Sequence, residues 1–201
     1  MALRRKSAGT AGFSLLEVVV VISVLVAMAA VLVPSLGSVM ESSKVAEVAS
    51  LTDALKSACT IHYMDTSRFP YEYTGARYSA AQYHGLSKEQ TYAGWKGPYL
   101  EEPLGAGHHP WKGSLHLYNL LLVNGLAGWD LDLDGTYELT TQENTCVLWM
   151  NRVPEEAAED IDDALDKGDL GSGVDWKTAG RVQWASPGGG TLWVMIYRRG
   201  S

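Results

Sequence analysis

From Phe13 to Val33 the chain runs 21 residues with a single charge, Glu17. As an α-helix this run would reach about 32 Å at ~1.5 Å per residue, close to the ~30 Å hydrocarbon thickness of a bilayer. A helix that is apolar all round must be covered on every side, by a core, a bundle or lipid. Arg4, Arg5 and Lys6 stand just upstream, so this end is expected to stay cytoplasmic and the remainder to lie across the membrane. A lone carboxylate costs roughly 2.5–3.5 kcal/mol near a bilayer centre, less close to the interface, and such a residue usually has a partner. A secretory signal peptide would also give a basic start, an apolar middle and a site such as Ala27-Met28-Ala29. The apolar run continues past that site, however, and carries the carboxylate within it.

The residues around Glu17 carry a specific pattern. A basic leader precedes Gly12-Phe13-Ser14-Leu15-Leu16-Glu17, and an unbroken apolar run follows. This resembles the processing site of type IV pilins and of type II secretion pseudopilins. The resemblance implies cleavage by a prepilin peptidase between Gly12 and Phe13, followed by N-methylation of the new Phe13 amine. It also implies an assembly role for Glu17, the fifth residue of the mature chain. The physics agrees with that expectation. Glu17 lies one helical turn from Phe13, so in a bundle of such helices it can neutralise the Phe13 amine of a neighbour. An unpaired charge in an apolar bundle is costly and a paired one tolerable, which would reward one axial register between subunits.

Past the apolar run, Pro34 and Gly37 predict a kink or a melted stretch, since both weaken a helix interior. Helical character resumes from Ser38 to about Met64. Val48, Leu51, Leu55 and Cys59 form one stripe at helical spacing, with Asp53 and Lys56 facing away. Glu41 and Lys44 lie in line with the stripe, so packing on a head is expected to begin after them.

Residues 65–113 are rich in turns and aromatics. Trp95-Lys96-Gly97-Pro98-Tyr99-Leu100 and Pro110-Trp111 resemble elements of the major pseudopilin of type II secretion systems. In the second element His109 and Lys112 replace the family's Asp and Gly. Their expected role is structural, clamping a long loop onto a small head. Leu115–Val123 reads as a strand or a short buried segment, Thr145–Asn151 as a strand by its β-branched and aromatic content, and 181–186 with 191–198 as a hairpin. Between them, a short helix starts near Pro154 and ends at Gly168, with acids in its first turns. Its expected apolar face is Ala157, Ile161, Ala164 and Leu165.

Asp130, Asp132 and Asp134 alternate before Gly135, a spacing suited to oxygen ligands around Ca2+, with Glu138 or Glu143 as auxiliary donors. The twelfth loop position is Thr141, so this is not an EF-hand. A solvated acidic turn is the plainer reading. The family resemblance implies a calcium loop near this place, without a residue-for-residue match. The two cysteines, Cys59 and Cys146, fit no zinc spacing. They are either bridged in an oxidising compartment or two buried thiols. His108, His109 and His116 fit a shared metal poorly, because adjacent residues rarely both reach one ion. No nucleophile motif is present, so the chain is not expected to be an enzyme. A net charge of −7 argues against a nucleic-acid groove.

The expected fold is α+β and pilin-like. Residues 1–12 form a cleaved leader, 13–33 a transmembrane and filament-core helix, 34–64 its amphipathic continuation, and 65–201 a periplasmic head with a small antiparallel sheet. The resemblance implies a bacterial inner-membrane subunit, single-pass, whose partners are copies of itself or related subunits, the prepilin peptidase and an assembly platform. The product would be a type II secretion pseudopilus or, alternatively, a type IV pilus. About 60 residues follow the acidic loop, more than in major pseudopilins, which leaves room for a minor or divergent subunit. A membrane-anchored module that never polymerises is the alternative of another class.

Overall fold

A computed structural model describes residues 13–75, 78–119, 129–131, 145–166, 176–185 and 189–198. One helix, α1, runs from Leu15 to Thr66. By its contacts the chain divides into two units, Met1–Glu41 and Ser42–Ser201.

In the first unit α1 continues without a break through Pro34 and Gly37, so the expected melted stretch is absent. A proline costs a helix interior ~3 kcal/mol, but helix propagation is cooperative once nucleated. Long helical segments on both sides carry the backbone across. Every described side chain from Phe13 to Val31 is exposed. Among the described residues no helix is long and apolar enough to cross a membrane.

In the second unit α1 buries Val45, Val48, Thr52, Leu55, Ala58, Cys59 and His62. These recur at intervals of three and four, one stripe facing inward. The expected stripe is there. It starts at Val45, directly after Lys44, and extends to His62, while Leu51 lies at its margin.

Five strands form one antiparallel sheet: β1 (Glu72–Tyr73), β2 (Leu115–Tyr118), β3 (Thr145–Asn151), β4 (Val182–Ala185) and β5 (Thr191–Arg198), in the order β1-β2-β3-β5-β4. β2 alternates buried Leu115 and Leu117 with half-buried His116 and Tyr118. Leu117 faces Leu148 across the ladder, and Leu115 faces Met150. These leucines, with Val182, Leu192 and Val194, share one core with the α1 stripe. On the other side, Trp129, Val147, Trp193 and Met195 form a second, smaller cluster. The outer strands β1 and β4 are short, which limits the unpaired edge each presents. The chain is therefore α+β.

A second helix, α2 (Glu155–Asp166), packs Ala157, Ala158 and Ile161 into the main core. Ala164 is exposed, not part of the buried face as expected; at about 100° per residue the buried face is centred near Ala158 and Leu165 and takes in Asp162, and Ala164 falls just outside its edge beyond Ala157. Gly190, just before β5, has φ +92, and a Cβ there would overlap the Val153 carbonyl. That carbonyl also accepts the Trp184 Nε1–H at 3.1 Å, so the hairpin and the entry to α2 are locked together at a point where only glycine fits.

Leu55 is fully buried in the main core. Leu55→Ala is expected to cost about 2–5 kcal/mol. The shift in urea midpoint of the full chain in nonionic detergent measures it, and a loss well under 1 kcal/mol would contradict the packing.

Candidate functional site

The start of α1 is built around Ser14 and Glu17. Ser14 is the residue before the helix, and its carbonyl accepts the Val18 N–H at 3.2 Å. Its hydroxyl accepts the Leu16 N–H at 3.3 Å, and Glu17 Oε2 reaches back to the Ser14 N–H at 3.1 Å. This is a capping box, with serine and glutamate each satisfying one otherwise orphaned backbone donor. The carboxylate also sits where the helix dipole favours negative charge. Glu17 therefore has a local partner in the single chain. Phe13 precedes the box and is 86% exposed. Gly12, on the other side of the expected scissile bond, lies outside the described residues.

Around these two positions the helix offers only apolar surface. Exposure of the large side chains ranges from 46% at Val18 to 83% at Leu15, on every face of the helix. Covering such side chains is worth about 25 cal/mol per Å² of apolar surface, so the segment is a strong drive toward association with something equally apolar.

The acidic loop can be placed only in part. Trp129 is buried, and the carbonyl of Asp130 accepts the Gly180 N–H at 2.9 Å. Asp132, Asp134, Glu138 and Glu143 lie outside the described residues. Among the described residues no group of three or more His, Cys, Asp or Glu side chains is arranged to hold a metal ion.

Cys59 on α1 and Cys146 on β3 are both fully buried free thiols. They are side by side: burial, and then the hydrogen bond with Cys146, push the Cys59 thiol well above its ordinary range. Cys146 Sγ–H also points to the Pro70 carbonyl at 3.8 Å.

The histidines do not converge. His108 Nδ1 accepts the Gly105 N–H, His109 Nδ1 that of Trp111, and His116 Nδ1 that of Thr74, at 3.0, 3.1 and 3.0 Å. His116 stacks on Trp149, with centroids 5.2 Å apart.

The segment 95–100 clamps a loop to the end of α1. Tyr99 and Leu100 donate their N–H groups to the Leu86 carbonyl at 2.7 and 3.2 Å. Lys96 Nζ and Tyr99 OH both reach the Asp65 carboxylate, at 2.8 and 3.0 Å, and the Lys96 hydrogen bond holds Asp65 below the usual carboxylate range. Tyr99 also meets His62 edge-on at 5.2 Å. The peptide bond between Gly97 and Pro98 is cis. A second hub went unread in the sequence. Glu72 of β1 is fully buried and accepts from His84 Nδ1 at 2.9 Å, from the Leu86 N–H at 3.0 Å and from the Ser87 hydroxyl. The alternation Tyr71-Glu72-Tyr73 is its only sequence trace.

A further buried carboxyl lies on α2. Asp166 accepts the N–H groups of Arg181 and Val182 at 2.7 and 3.3 Å, tying α2 to β4. Asp162, one turn earlier, is only 5% exposed, and its Oδ1 has no partner. Burial, and then the charge of Asp166, raise Asp162 to about 7.

No protein-family model, curated protein or solved structure matches this chain.

Because the folded Asp162 holds its proton more tightly than the unfolded one, its contribution to stability falls as pH rises from the ordinary carboxylate range, about 4, through about 7. Asp162→Asn is expected to flatten that part of the pH dependence and to stabilise the protein at pH 8 relative to the parent. Urea midpoints of both proteins at pH 5 and pH 8 test this; an identical pH 5 to pH 8 difference in the two would refute it.

Proposed function

We propose that this chain is a structural subunit of a helical filament assembled from the bacterial inner membrane, of the type IV pilin and type II secretion pseudopilin kind. The observation that carries the reading is the start of α1. A processing-type sequence ends at Gly12-Phe13, Glu17 follows one turn later, and the helix beyond it bears uncovered apolar side chains on every face as far as Val31. A fibre core made of many such helices would cover that surface. The Glu17 carboxylate would then meet a neighbour's Phe13 amine in place of, or beside, its own Ser14 N–H. The α+β unit with the stripe of α1 packed on an antiparallel sheet supports a pilin-like head. The work proposed is mechanical, with no catalytic step, and the partners are like subunits, a prepilin peptidase and an assembly platform. Within this class the 95–100 segment favours the secretion pseudopilus over an adhesive or motility pilus. The extra helix and hairpin after residue 145 favour a minor or divergent subunit.

An anchor that never polymerises would need neither the processed amine nor the carboxylate. Protein recovered from membranes of a host with prepilin peptidase is therefore expected to begin at Phe13 and to carry one added methyl group by intact mass. A start near Ala30 would sink the reading. Glu17→Ala is expected to remain in the membrane fraction but to be lost from sheared filaments; normal incorporation would leave Glu17 with its capping role alone.

Calcium at the Asp130–Asp134 loop is a separate proposal, resting on the spacing of the carboxylates. Calorimetric titration with Ca2+ is expected to give heat in the parent chain and none in Asp132→Ala. Silence in the parent would dismiss it.

A further inference from the structure

A cavity of about 360 Å³ opens beside the end of α1, within the ~300–1,000 Å³ of small-molecule sites. Its shape follows from how the helix stops. Ser67 donates its N–H to the Tyr63 carbonyl at 2.8 Å and adopts φ 55, the left-handed conformation that commonly ends a helix. The chain therefore turns sharply, and Arg68 and Phe69 leave the helix to form one wall. Tyr63 stands against Phe69 with ring centroids 4.9 Å apart. Tyr71 and Tyr92 add two more phenols, and Asn119 closes the rim, its amide Nδ2 donating to the Phe69 carbonyl at 3.3 Å.

These walls are held in place from behind. His62 Nδ1 bonds the Arg68 carbonyl at 3.0 Å, and its Nε2 bonds Tyr92 OH at 2.7 Å. The Arg68 guanidinium carbon lies 5.2 Å from the centre of the Tyr92 ring. A planar cation laid on an aromatic face keeps its fork of N–H donors for something else. Among the described residues Arg68 has no carboxylate partner, and no acidic side chain lines the cavity.

We propose that this cavity binds an acidic sugar, a ring bearing one carboxylate and several hydroxyls. The guanidinium fork fits a carboxylate with two parallel hydrogen bonds. The phenols, the Ser67 hydroxyl and the Asn119 amide match ring hydroxyls, and the aromatic faces accept the C–H side of the sugar. Other ligands fit less well. An apolar ligand would use the rings but not the Arg68 fork. A phosphate would use Arg68 but not the rings, and a second negative charge is opposed by the end of α1 and by a net charge of −7. For one carboxylate, the helix-end effect of about 0.3–1 kcal/mol is outweighed by charge-assisted hydrogen bonds of about 1.5–3 kcal/mol. The proposal is independent of the filament reading, since it uses only residues from His62 to Asn119.

The test is calorimetric titration of the full chain in a polyoxyethylene detergent, which has no sugar headgroup, with D-glucuronate, glucose, acetate and inorganic phosphate. Glucuronate is expected to bind with Kd at or below about 1 mM. Glucose and acetate should each bind at least tenfold more weakly, because each keeps only half of the recognition. Arg68→Gln, an exposed position that should not disturb folding, is expected to weaken glucuronate tenfold or more. Arg68→Lys keeps the charge, loses the fork, and should fall between the two; it decides the matter if the glutamine variant alters the circular dichroism spectrum. Glucuronate giving no heat, glucose matching it, acetate or phosphate matching it, or Arg68 variants binding it unchanged would each overturn the proposal.

Discussion

The burial of one α1 stripe, Val45 to His62, positions the rest of residues 42–201. Leu55 and Cys59 meet the sheet through Leu115, Leu117 and Leu148 in one continuous core, so α1 is the surface against which the sheet is laid. Interiors this dense tolerate little change in volume. The strands gain their register from it as well: a one-residue slip of β2 would replace Leu115 and Leu117 on the core face with His116 and Tyr118. The last turns of the same stripe bring His62 and Asp65 to the loops, where Tyr99, Tyr92 and Lys96 fasten onto them. A segment with almost no regular structure is thus fixed by hydrogen bonds to a helix end.

The same helix has two kinds of surface. From Val45 onward it is amphipathic, and its apolar side chains are satisfied within the chain. Before Val31 it is apolar all round, and nothing described in its own unit covers it. These are different solutions to the same hydrophobic driving force, one intramolecular and one that requires lipid or other subunits. This contrast, rather than any pocket or catalytic cluster, supports the filament proposal.

Much of this was legible in the sequence where periodicity was strong. β3 falls on Thr145–Asn151 as expected because branched and aromatic residues fill it, and the α1 stripe follows its three-and-four spacing. Where the period was short or the determinant tertiary, reading failed. β1 has two residues, too few for a pattern, and its pairing with β2 comes from Glu72 being pulled inward by His84 and the Leu86 N–H. Of the kink or melted stretch that Pro34 and Gly37 predict from local propensity, the melted stretch is overridden by the cooperative helix on either side. Ala164 was assigned to a face that the packing of α2 on β4 rotates toward Ala158 and Asp162. The adjacency of Cys59 and Cys146, 87 residues apart, and the burial of Asp162 and Asp166 against β4 are products of the assembled core. At the helix start, Phe13 and Glu17 were read for assembly. The capping box is also written there, as Ser14 with glutamate three residues on.

That box bears on where the polypeptide can be cut. A helix terminated firmly at Ser14 leaves Phe13 outside the hydrogen-bonded turns, since the first helical acceptor is the Ser14 carbonyl. Peptidases grip substrates as extended chain, and a bond wound into a helix must first be unwound. By stopping the helix one residue after Phe13, Ser14 and Glu17 would spare a processing enzyme that unwinding step. The same carboxylate would then act twice in time: first as a local stop that presents the bond, and afterwards, once the amine exists, as the charge another chain can recognise.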